Sequence, residues 1–259
     1  MAESQFAREY RAKMFGNVVS QFEKTDPEFS DFFKTFAYDE VINAPVADGL
    51  EPIDDKTRFL AILATLLGCG GIDEFHIILP AALNMGVSPI EAKEVVYQAT
   101  AYLGIGRVLP FLKVTNAIFD MRGIELPLKG QGTTTPENRV EKGNQVQIDY
   151  FGESMREFWK NAPQGRRNIN YWLAGNCFGD YYTRGGLNDQ QREMITFCFI
   201  AAQGGCEPQL VAHALGNMKV GTGKERLYQI VEQIVPYIGY PRSLNAMSAI
   251  DQASAQLNK

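Results

Sequence analysis

An all-α fold is predicted by three features of this chain: apolar residues recurring at helical spacing, no stretch of sustained period-two alternation, and an internal repeat. The repeat is read at an offset of 135 residues. Gly86 pairs with Gly221, Val96 with Val231, Gln98 with Gln233, Tyr102 with Tyr237, Gly104 with Gly239, Arg107 with Arg242 and Leu109 with Leu244. Ordinary composition gives roughly one or two identities in such a window. The chain therefore reads as a tandem duplication of one helical unit.

The elements follow in order. An aromatic-Phe-Gly stands near the start of each half, MFG at 14–16 and YFG at 150–152, one residue off the main register. The segment FLAILATLLG is apolar almost all round and predicts a buried central helix with Asp54 as its N-cap. Ala92, Val95, Val96 and Ala99 fall at i, i+3, i+4 and i+7, the stripe of an amphipathic helix. Residues 122–143 are polar and rich in Gly, Thr and Pro, as a surface connection is. This places the first repeat at 1–121, the connection at 122–143 and the second repeat at 144–259. MITFCFIAA is the second buried helix, with Asp189 as its expected N-cap, and Leu227, Ile230, Val231 and Ile234 repeat the amphipathic stripe.

Composition narrows the function classes. With 259 residues, 45% apolar and 21% charged, the chain can bury a sizeable core. A net charge of −5 without a Lys/Arg run gives no footprint for nucleic acid or an anionic membrane. The start lacks an apolar signal region and the apolar runs are too short to span a bilayer, so a soluble cytoplasmic protein is expected. Four cysteines without a CxxC pair read as free thiols in a reducing compartment, and with two histidines they argue against a structural zinc site.

The chemistry-bearing stretch is LNDQQREMITFCFIAAQGGCEPQLVAH. Glu193 opens the buried helix, Gly204 and Gly205 break it, and Pro208 suits the first turn of the next. Such a helical hairpin can bring Glu193 to His213. Cys206, at the cap, would have its thiolate favoured by the exposed N–H groups, and His213 lies two turns further on the same face. Carboxylate, thiol and imidazole would suit proton transfer. The competing reading is that all three are packing or dipole residues. In the first half, Arg58, Gly71 and Ile78 stand opposite Glu193, Cys206 and His213 at the same offset, while Cys69 and His76 keep the spacing two residues upstream. Tyr182 and Arg184 in FGDYYTRGGL, and Arg242 in YIGYPR, could line a pocket for a carboxylate or serve as packing corners.

Arg192-Glu193 before an apolar helix, then His213, Gly221 and the YIGYP close resemble the carboxymuconolactone decarboxylase family, whose fold is shared with alkyl hydroperoxidase D. PAALNMGVSPIEAKEVVYQ and YLGIG in the first half resemble it too. The resemblance implies tandem copies of that helical domain and assembly into homo-oligomers, trimers or dimers of two-repeat chains. It also implies one of two activities. The decarboxylase branch acts on a small carboxylated lactone without an organic cofactor, Glu193 and His213 shuttling protons and Arg184 or Arg242 holding a carboxylate. The hydroperoxidase branch uses a C-x-x-C-x-x-x-H motif. Cys206 and His213 match its ends, but Gln209 stands where the second cysteine belongs, so no internal disulfide can form there. A non-catalytic binding or assembly protein on the same scaffold is the third expectation.

Overall fold

The computed structural model describes residues 3–16 and 18–257. Among them there is no strand, and the helices are α1 (Gln5–Phe15), α2 (Phe22–Thr25), α3 (Pro27–Thr35), α4 (Asp55–Cys69), α5 (Ile72–Asn84), α6 (Pro89–Leu103) and α7 (Ile105–Met121) in the first half. Then follow α8 (Arg139–Phe151), α9 (Phe158–Asn161), α10 (Arg167–Trp172), α11 (Asp189–Gln203), α12 (Glu207–Lys219) and α13 (Lys224–Leu257). Helix α13 is interrupted at Gly239, whose φ of 74° breaks the helical run. π-helical turns occupy Phe36–Glu40 and Leu173–Tyr182. The all-α tandem duplication predicted above is the architecture found. No helix among the described residues is long and apolar enough to cross a membrane.

Local chemistry explains the helix ends. Asp54 caps α4, accepting from the Thr57 N–H at 2.9 Å. The corresponding cap of α11 is Asn188, in a capping box with Gln191, so the expectation of Asp189 is off by one. That one residue matters for the register. Caps 54 and 188 align the two buried helices at an offset of 134, which puts Arg58 opposite Arg192 and Phe59 opposite Glu193. The glycine turns restore 135, since Gly70 and Gly71 precede α5 where Gly204, Gly205 and Cys206 precede α12. Pro80 lies inside α5 without ending it. The polar connection is irregular only to Asn138, because α8 begins at Arg139. This helix lies against the Leu173–Tyr182 turn through Gly143 and Gly179, where a Cβ on either would strike backbone.

Helices α4 and α11 cross at the centre of one core shared by both halves. A Cβ at Gly68 would meet the Phe199 carbonyl oxygen at 2.6 Å and the Ala202 Cβ at 2.8 Å, so the crossing depends on the absence of a side chain there. Two cross-repeat hydrogen-bond pairs flank it. Arg58 Nε donates to Gln233 Oε1 at 2.7 Å, and Arg192 Nη1 donates to Gln98 Oε1 at 2.7 Å. The repeats thus exchange equivalent contacts, each glutamine of one half holding the buried arginine of the other.

Candidate acid-base site

Glu193 is completely buried in the first turns of α11, and His213 is 8% exposed on α12. The glycine turn folds these helices together, and Asn217 Nδ2 ties them by donating to the carbonyls of Glu193 (2.9 Å) and His213 (2.8 Å). Gly216 leaves room for the carboxylate, since a Cβ there would land on Glu193 Oε2. His213 Nδ1 is 2.9 Å from Glu193 Oε2. Tyr182 donates to Glu193 Oε1 at 2.8 Å.

Counting protons around the cluster orders it. Cys177 donates to Tyr102 Oη at 3.6 Å, and Gln98 donates to Thr196 Oγ1 at 2.9 Å. Tyr102 and Thr196 stand 2.8 and 2.7 Å from Tyr182 Oη, whose own proton is committed to Glu193. Both must therefore donate to Tyr182. Two chains of donors converge on one carboxylate, and the Nδ1–H of His213 completes its shell, a tautomer assigned from this network. Nε2 of His213 is left with its lone pair. Its nearest partner is Tyr102 Oη at 3.5 Å, whose proton is already used. Burial pushes Tyr102 and Tyr182 well above the usual phenol range and Cys177 up to about 12, so all three remain protonated at neutral pH.

An aromatic wall surrounds the imidazole. The rings of Tyr102 and Phe151 stand edge-on to it at 5.4 and 5.6 Å. Phe151 comes from the YFG segment and also lines a groove of about 490 Å³ formed with Pro208, Val211 and Leu215.

The structure brings together three of the residues expected from sequence, Glu193, His213 and Tyr182. It leaves the other three elsewhere. Cys206 is the N-cap of α12, with Sγ accepting from Gln203 Nε2 at 3.1 Å. Seven residues of helix put it on His213's face but about 10 Å away along the axis. Arg184 is held bidentately by Glu94 at 2.9 Å, and Arg242 donates to the Ala202 carbonyl beside Cys206. His76 is exposed on α5, and Cys69 Sγ turns to the Leu66 carbonyl at 3.6 Å. Tyr102, Cys177 and Thr196 are cluster members that sequence reasoning did not single out for chemistry. Tyr102 and Gln98, identical in both halves and one turn apart, carried the available signal. In the first half the positions equivalent to Glu193, Thr196 and His213 are apolar, Phe59, Ile62 and Ile78, and Tyr237 from the second half stands beside Phe59 and Ile62.

Comparison with known proteins adds three findings. The model of the carboxymuconolactone decarboxylase family matches residues 27–117 and again 169–252. The 4-carboxymuconolactone decarboxylase of Acinetobacter baylyi is 30% identical over 97 residues, which is 38% of this chain and 68% of that enzyme. A crystal structure from Burkholderia xenovorans LB400, provisionally assigned as a gamma-carboxymuconolactone decarboxylase subunit, superposes with a TM-score of 0.54 at 17% identity, covering 98% of this chain and 97% of that one. That last likeness is one of fold.

Proposed function

Because this chain belongs to the carboxymuconolactone decarboxylase family, its two matched segments spanning most of its length, we propose that the second repeat is a cofactor-independent acid–base site. Its substrate is a small carboxylated or lactone-like molecule. The observation that carries this reading is the Glu193–His213 pair, 2.9 Å apart and buried, with Nε2 the unfilled acceptor. Glu193 fixes the imidazole and stabilises the imidazolium formed when Nε2 takes up a proton from water. The C–C bond to the carboxylate breaks, CO₂ departs, the electron pair stays on carbon, and the imidazolium delivers its proton there. One carboxylate and one proton give one C–H bond and CO₂, with no oxidant or reductant.

The thiol-dependent alternative finds less support. Cys206 lies two helical turns from the imidazole, Gln209 occupies the place of a partner thiol, and Cys177 is held protonated by burial. The substrate named for the Acinetobacter relative supplies the test. Decarboxylation of 4-carboxymuconolactone is followed with the parent, His213→Gln and Cys206→Ser. The expected result is a loss of kcat/KM of about 10²- to 10⁴-fold for His213→Gln and parental activity for Cys206→Ser. Parental turnover by His213→Gln overturns the assignment.

A further inference from the structure

A second cavity, of about 370 Å³, opens between α6, α7 and the connecting segment, with Ile90, Tyr97, Leu126, Pro127 and Leu128 among its walls. Three cationic residues line it: Lys129 is exposed, Lys93 is buried and Arg184 is half-buried. Lys93 is only 5% exposed; its ammonium donates to Asn116 Oδ1 and makes no ion pair among the described residues. It lies instead 5.2 Å from the Phe119 ring centroid and 6.0 Å from that of Tyr97. Arg184 stands over the same Tyr97 ring at 5.4 Å. Its Nε and Nη2 are committed to Glu94, and Nη1 has no acceptor among the described residues.

The charge count does not close. Glu94 is shared between Arg184 and Arg192, so a single carboxylate answers two guanidinium groups and none answers Lys93. Burying a cation without a counter-ion is costly, and burial pushes the Lys93 ammonium below its ordinary range. The repeat does not require the lysine, because Tyr228 occupies the same position in the second half. A ligand that supplied the missing negative charge would offset that cost.

We propose that this cavity binds a small organic carboxylate, its two oxygens set between Lys93 Nζ and Arg184 Nη1 and its apolar body against Tyr97 and the Leu126–Leu128 wall. Two donor groups match the two oxygens of a carboxylate, and the apolar remainder favours a carbon body over a bare anion. The site is distinct from the Glu193–His213 cluster. Glu94 and Tyr102, which reach the two places from one helix, are eight residues and about 12 Å apart along α6. The proposal therefore stands independently of the acid–base reading.

Titration calorimetry with benzoate tests it on the full chain. The parent and His213→Gln are expected to bind benzoate equally, and Lys93→Met to bind at least about tenfold more weakly, as loss of a charge-assisted contact implies. Benzyl alcohol, with the same body and no charge, is expected to bind more weakly than benzoate. Four results overturn the proposal: no benzoate binding by the parent, binding unchanged in Lys93→Met, binding lost in His213→Gln but kept in Lys93→Met, or inorganic phosphate binding as tightly as benzoate. If Lys93→Met does not fold, Leu128→Trp fills the cavity with the lysine in place. Undiminished benzoate binding by that variant contradicts the site equally.

Discussion

At the scale of single residues, the four cysteines divide by burial. Cys177 and Cys198 are buried and pushed up to about 12, desolvation being the dominant cause, whereas Cys69 and Cys206 are partly exposed. Alkylation of the native protein by iodoacetamide is therefore expected to mark Cys69 and Cys206 and spare the other two until the chain unfolds. Peptide mass spectrometry reads the sites directly, and early labelling of Cys177 contradicts the geometry. The same shifts set a pH dependence. These thiols stay protonated in the folded state but ionise near pH 8.5 when unfolded, so the folded state binds more protons above that point. Their contribution to stability is intact below about pH 8.5 and is lost as pH rises towards 12. Denaturant midpoints measured from pH 7 to 10 should fall across the upper part of that range, and a rise there contradicts the assignment.

At the scale of elements, helix α6 carries a polar stripe from the first half into the second. Glu94, Gln98 and Tyr102 recur every four residues, one stripe that reaches Arg184 and Arg192, then Arg192 and Thr196, then Tyr182 and the ring of His213. The first repeat thereby completes the site of the second. Tyr102→Phe removes the donor to Tyr182 and the acceptor for Cys177, costing about 1 kcal/mol of stability and lowering turnover. Thermal unfolding alongside kcat/KM checks both, and parental values of the two contradict a role for the cross-repeat contact. Much of this was legible in the sequence. The helical hairpin around Gly204-Gly205, the pairing of Glu193 with His213 and the loss of that pair in the first half all follow from spacing and repeat register. Cys206 stands at the cap as its spacing predicts, and the two turns to His213, about 10 Å along the axis, keep its thiol out of the Glu193–His213 contact. For Arg184 and Arg242 the sequence leaves pocket and packing corner open, because a basic side chain reads the same whether its acceptor is a ligand, Glu94 or a helix-end carbonyl. The repeat marks Tyr102 as a shared position, but its contact with Tyr182 and His213 comes from packing between repeats, which local periodicity does not encode.

At the scale of the whole molecule, duplication has left the Glu–His pair in one repeat and Phe59 and Ile78 in its place in the other, on a shared core. Exposed apolar residues recur in both halves at equivalent positions, Ile105 and Leu109 on α7 and Tyr240 and Leu244 on α13. Such a matched pair of faces suits self-association, and we propose that the chain forms a homodimer or homotrimer. Light scattering at micromolar concentration is expected to give two or three times the chain mass of 28.9 kDa; a monomer contradicts the assembly. The central claim, that Glu193 and His213 act as one proton-transferring unit, is tested most directly by a double-mutant cycle. The account predicts that kcat/KM for 4-carboxymuconolactone falls by about 10²-fold or more in Glu193→Gln and in His213→Gln, and that the double variant is scarcely worse than either, since residues acting as a unit are non-additive. Full additivity of the two losses, or parental activity in either single variant that remains folded, would contradict it.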